Sequence, residues 1–195
     1  MATSGAIQLS TAGITVWHAP ETEIGVLPKT GWKKQAEVKS TPSLDASPDS
    51  LETTTLEETE YKTYIPGLKD LGGVLEFNAN LTQLTIETWD EACDEFDTAK
   101  AAGKGQWWCI RVPNLKDSFY FRGEPTRIGL PGAEVSAVLE TPLRVTPTAA
   151  PERHPRLKVG EDGTSGTVPD DYESLSVASV GGTAVKTSTK NSVTV

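Results

Sequence analysis

Two histidines, two cysteines and a surplus of carboxylates are the residues of this chain whose types could do chemistry. His18 and His154 stand far apart and in no HExxH or other ligand-spaced cluster, so spacing supplies no metal set. Cys93 and Cys109 form no CxxC pair. The start of the chain, Met1 to Ala6, has neither the charged nor the apolar region of a secretion signal. Both thiols are therefore expected to be reduced core residues made in the cytosol. Asp94 to Asp97 lacks the central glycine of a calcium loop and falls on a helical pattern. Gly160-Glu-Asp-Gly-Thr-Ser-Gly has the glycines of a phosphate loop without its lysine or its following helix, and reads as a flexible linker. Asn80-Leu-Thr matches a glycosylation sequon inside a strand pattern. There is no Gly-x-Ser-x-Gly elbow, and no carboxylate pair stands out from a generally acidic surface. The expectation is a protein without catalytic residues, metal or cofactor.

The chain has 195 residues, enough for one domain with an extension, and a net charge of −9. That sign argues against general affinity for phosphates, which needs a basic patch. It does not argue against a wall that nucleic acid must pass without sticking. No run approaches the ~20 apolar residues of a membrane helix, so no membrane insertion is expected.

The elements that must position these residues are mostly strands. Residues 6–19 read as a strand ended by Pro20, with Ile14 and Val16 alternating against Thr15 and Trp17. Residues 32–40 read as a second strand with a basic start, Lys33-Lys34. Residues 44–60 then carry Asp45, Asp49, Glu52, Glu57, Glu58 and Glu60 with no Lys or Arg and few large apolar side chains. A structureless loop of that length is uncommon in a compact domain and usually functional. It should order only when a partner supplies the surface it lacks. Pro66-Gly67 reads as a turn leading to a strand over 74–82 with strict alternation. Leu75, Phe77, Ala79 and Leu81 share its core face, and Glu76, Asn78 and Asn80 its polar face.

One helix is predicted, over 86–102, with Thr85 as N-cap, acids in the first turn and Gly103 as the stop. Ile86, Trp89, Cys93, Phe96 and Ala99 or Lys100 fall at helical spacing, and the acids from Glu87 to Asp97 form a solvated outer face. Strands follow over 106–112, 118–122 and 134–145, joined by short turns, which makes an antiparallel meander. The last of them places Val135, Ala137, Leu139 and Leu143 on one face and Glu134, Ser136, Glu140 and Arg144 on the other. From 148 to 195 the chain turns Pro-, Gly-, Ser- and Thr-rich and reads as an extension without a core of its own. The fold class is thus mainly β: an antiparallel β-sandwich or barrel with one flanking α-helix and a long inter-strand loop.

Three local features carry a family resemblance. They are Ile65-Pro-Gly-Leu-Lys-Asp-Leu-Gly before the alternating strand, Asn78-Ala-Asn-Leu-Thr leading into the helix around Trp89, and Phe119-Tyr-Phe-Arg-Gly after a Trp-Trp-x-Ile-Arg-Val-Pro strand. In this order the chain resembles the major tail tube proteins of long-tailed, non-contractile bacteriophages, over roughly residues 11 to 147. The resemblance implies a tail-tube β domain over 1–147, with an assembly loop over 41–66, in hexameric rings stacked into a hollow tube. It implies a structural protein of the virion tail, in the host cytoplasm before assembly, and a conduit for viral DNA. Its partners would be other copies of itself, with tape measure, tail terminator and tail-tip proteins, while DNA passes without specific binding. The loop would bridge neighbours through Leu44, Asp45, Asp49, Leu51, Glu52, Leu56, Glu57, Glu58, Tyr61 and Tyr64. The expected lumen is negative, lined by Glu76, Asn78, Asn80, Glu134, Ser136 and Glu140. The same fold resemblance extends to ring-forming relatives that do not polymerise, such as tail terminators and baseplate hubs. A soluble β-sandwich that offers acidic loops to a basic partner is the reading of another class.

Overall fold

The computed structural model describes residues 11–55, 57–58, 60–132 and 138–170. Its elements in chain order are β1 (Thr15–Pro20), β2 (Trp32–Lys34), β3 (Val38–Ser40), β4 (Pro48–Glu52), β5 (Tyr64–Lys69), β6 (Leu75–Asn80) and α1 (Gln83–Ala101). Then come β7 (Gln106–Arg111), β8 (Asp117–Thr126), β9 (Glu140–Pro147), β10 (Glu152–Pro155), β11 (Lys158–Val159) and β12 (Ser165–Thr167). All pairings are antiparallel. The strand order is β11-β12-β2-β1-β7-β8-β9-β6-β3, with β10 also on β8, and β4-β5 form a separate hairpin. This is the mainly β, curled antiparallel architecture with one helix that the sequence predicts, including the β7-β8-β9 meander.

The sheet curls because β8 is shared. Its first half pairs with β10, its middle with β7 and its end, from Gly123 to Thr126, with β9. Gly123 marks the crossing: a Cβ there would meet Val145 Cγ1 at 2.6 Å and the Thr146 carbonyl at 3.0 Å. One core fills the concave side, where Val16, Trp108, Ile110 and Phe121 meet Phe77, Leu143 and Val145 under Trp89, Ala92 and Cys93 of α1. A second core covers the other face of β1, β7 and β8: Trp17, Ala19, Trp32, Trp107, Cys109 and Tyr120 pack with Leu157 and Val168. All five tryptophans are buried. Each indole N–H has an acceptor: Thr15 Oγ1, the Pro28 carbonyl, the Thr126 carbonyl, Glu21 Oε1 and the Gly123 carbonyl. A buried indole without one would cost the fold the desolvation of its N–H.

Several sequence expectations are corrected. The β1 segment does not alternate, since Val16 to Ala19 are all buried; α1 covers one face and the 157–168 segment the other. The strand expected over 32–40 is two short strands on different parts of the sheet, separated at Glu37, whose φ is 54°. Pro66 and Gly67 lie inside β5, and the turn before β6 is made by Gly72 and Gly73, both with positive φ. The helix begins three residues early, with Thr82 as the cap, its hydroxyl accepting from the Thr85 N–H at 3.2 Å. Its first turn holds no acid, Ile86 is only half-buried and Lys100 is exposed. Leu139 is exposed and Val145 takes its core place. Residues 133–137, with Glu134, Val135, Ser136 and Ala137, lie outside the described residues, as do 1–10 and 171–195.

An appendage past residue 147 does not describe 152–168. That stretch adds β10 to the far edge of β8, closes β11 and β12 onto β2, and supplies Leu157 and Val168 to the second core. Nor is the loop at 160–166 a flexible linker. Asp162 Oδ1 accepts from the Thr164 and Ser165 N–H groups and the Ser165 hydroxyl, and Gly163 takes the positive φ of the turn.

Candidate assembly surfaces

The acidic segment is a projecting hairpin, not a structureless loop. In β4 and β5, Leu51 sits opposite Ile65 and Glu52 opposite Tyr64, and the ladder continues through the Thr53 N–H to the Thr63 carbonyl at 2.9 Å. The sequence hid this hairpin because the partner strand carries Pro66 and Gly67, which ordinarily break strands. A slip in register between Pro48 and Ser50 accommodates them. Every residue of β4 is exposed. Leu51, Tyr64 and Ile65 are about half exposed, Tyr61 79% and Leu68 89%. At the root of the arm, Leu44 and Leu71 pack against the first core. Of its expected contact residues, Asp45, Asp49, Glu57 and Glu58 carry no ion pair among the described residues, and Glu52 pairs with Lys62 at 3.1 Å. Leu56 lies outside the described residues.

The polar face of β6 is exposed as expected at Glu76 and Asn78, with Asn80 half-buried. It is not simply negative. Glu76 accepts from Arg144 Nε at 2.7 Å across the β6-β9 pair, Lys39 of β3 pairs with Glu140, and Asn78 donates to Ser40 Oγ at 3.2 Å. Glu134 and Ser136 lie outside the described residues.

The helix turns its acids outward, and cations from the sheet meet several of them. Lys33 bridges Glu91 and Glu95, both at 2.5 Å, and Arg127 bridges Asp94 at 2.6 Å and Asp97 at 2.9 Å. These pairs hold the Lys33 ammonium and the Arg127 guanidinium above their ordinary ranges.

Of the chemistry-bearing residues, His18 is wholly buried beneath the helix, 3.6 Å from Glu95 Oε2 and tilted against Trp108. Burial pushes its pKa down to about 4, with Glu91 partly opposing. His154 pairs with Glu152 at 2.8 Å on the surface. The thiols are separate and buried, and loss of solvation raises Cys93 to about 11 and Cys109 to about 12. Sequence reasoning missed one polar centre. Glu21, its side chain fully buried, accepts from the Gly105 N–H at 2.7 Å and the Trp107 indole at 3.0 Å. It also pairs with Arg122, whose Nε lies 2.7 Å away. Nothing at position 21 in the sequence marks it, since apart from the Gly25 N–H its donors come from residues 105, 107 and 122. Among the described residues, no three of His, Cys, Asp and Glu gather to hold a metal, and no helix is long and apolar enough to cross a membrane.

No protein-family model and no curated protein sequence matches the chain. Among solved structures it is similar to a chain of the six-fold-symmetrised baseplate of the anti-feeding prophage. The identity is 15% and the TM-score 0.45, over 78% of this chain and 97% of that one.

Proposed function

We propose that this chain is a structural subunit of a phage tail, with no enzymatic activity, that forms hexameric rings and stacks them into the tail tube. The observation that carries the reading is the β4-β5 arm. An isolated two-stranded hairpin is marginally stable in water. This one holds Leu51, Tyr64, Ile65 and Leu68 exposed, with no further strand paired to it among the described residues. A neighbour that covers the arm removes that apolar surface from water and stabilises the hairpin. The sheet also ends in the very short strands β3 and β11, whose outer edges are unpaired among the described residues. Such edges can join subunit to subunit into a closed wall. A heterologous contact that closes gives a ring, and a second that does not close gives a stack.

The polar outer face of β6 and β9 lines the lumen in this reading, and its paired Glu76–Arg144 and Glu140–Lys39 leave little net charge to grip passing DNA. Tape measure, terminator and tail-tip proteins would meet the two ends of the tube. The test is deletion of residues 45–58. The shortened protein keeps the circular dichroism and cooperative melting of the full chain and stays monomeric where the full chain forms rings and tubes. Tubes from the deleted protein would remove the arm from the account.

A further inference from the structure

Among the described residues, Lys34 of β2, Lys69 of β5 and Lys104 after α1 have no carboxylate within 4 Å, and neither do five others, Arg111, Lys116, Arg153, Arg156 and Lys158. These five fall together. The Arg156 N–H donates to the Lys116 carbonyl at 2.8 Å, Arg111 Nε donates to the Leu157 carbonyl at 3.0 Å, Arg153 sits opposite Phe119 of β8, and Lys158 opens β11. Burial and the nearby Arg156 both lower the pKa of the Arg111 guanidinium, so two cations crowd one another there. Lys116, Arg153 and Lys158 are exposed. Two carboxylates share the stretch, Asp117 and Glu152, the latter already paired with His154. In a chain of net charge −9 this is a concentrated basic surface.

The complementary set is the arm. Among the described residues, Asp45, Asp49, Glu57, Glu58 and Glu60 have no ion pair, and of the arm's two lysines Lys62 is taken by Glu52 while Lys69, at the end of β5, has none. Lys33 and Arg127 each already contact two of the six helix acids between Glu87 and Asp97. Within one chain the arm and the basic surface make no ion pair.

We propose that the basic surface formed by Arg111, Lys116, Arg153, Arg156 and Lys158 is the docking site for the acidic β4-β5 arm of a second copy of this chain. The proposal rests on the assembly reading above and adds which surface receives the arm. Charge complementarity of this kind sets register and suppresses wrong contacts, and like charges brought together at an interface are strongly unfavourable. The test uses the full chain in three forms: a Lys116→Glu, Arg153→Glu, Lys158→Glu variant, a Glu57→Lys, Glu58→Lys, Glu60→Lys variant, and the two combined. The altered side chains are solvent-exposed, and near-ultraviolet circular dichroism checks each fold. Sedimentation should show each single-surface variant needing a concentration about tenfold or more above wild type to assemble, with the combined variant restored. If the basic-surface variant does not fold, the arm variant mixed with wild type decides. It should cap growth, and unimpeded co-assembly overturns the proposal. Wild-type tubes with both variants assembling normally overturn it while the tube reading stands. A basic-surface variant that assembles but no longer retards double-stranded DNA in a gel would assign the surface to nucleic acid instead. A wild-type chain that never associates overturns both.

Discussion

His18 is neutral in the folded chain, because its ring is buried between α1 and Trp108 and its folded pKa falls to about 4 from an ordinary 6.5. The unfolded chain therefore takes the proton first. The stability this neutral ring contributes is full above pH 6.5 and is lost as pH falls toward 4, by about 3 kcal/mol in order of magnitude. Denaturant unfolding of wild type and His18→Leu at several pH values checks this. The variant should lose less stability than wild type between pH 6.5 and 4, and identical slopes would show that His18 is not the group. Glu21 is a second residue-scale device. Glu21→Ala leaves Arg122, the Gly105 N–H and the Trp107 indole without their acceptor. The loss should be about 3–5 kcal/mol, read as a drop in denaturation midpoint. Neither role was legible in the sequence. A lone His and a lone Glu carry no spacing signal, and their partners arrive from up to a hundred residues away.

At the scale of elements, alternation worked where one face meets water and failed where both are covered. Residues 75–80 show the expected buried-exposed rhythm, since the outer face of β6 is open. Strand β1 does not, because the 157–168 segment lies over the side that its polar positions were expected to show to solvent. A Pro- and Gly-rich stretch with one Leu and one Val in the right places was enough to build that cover, and composition averages such single residues away. The arm was legible as an acidic segment poor in core residues but not as a hairpin. Its hydrogen exchange should be fast in the monomer, since exposed ladder bonds open locally, and slow in the assembly. Equal protection in both states would make it an ordinary surface feature. Gly123, where β8 passes from one pairing to the next, tests the curl. A Gly123→Ala methyl collides with Val145 and with backbone that cannot move aside. It should cost about 1–3 kcal/mol by overpacking, read by thermal melting.

The whole molecule is a curled sheet with two cores, a helix clamped on by Lys33 and Arg127, a charge-balanced outer strand face, and an arm that reaches away from all of it. The body satisfies its own buried indoles and the Glu21 carboxylate. The arm cannot satisfy itself. That division of labour is what a polymerising subunit needs. The measurement that tests it most directly is negative-stain electron microscopy of the purified full chain across a concentration series. The account predicts monomers at low concentration and, on concentration, six-fold rings stacked into hollow tubes. Monomers or closed dimers at every concentration would contradict it.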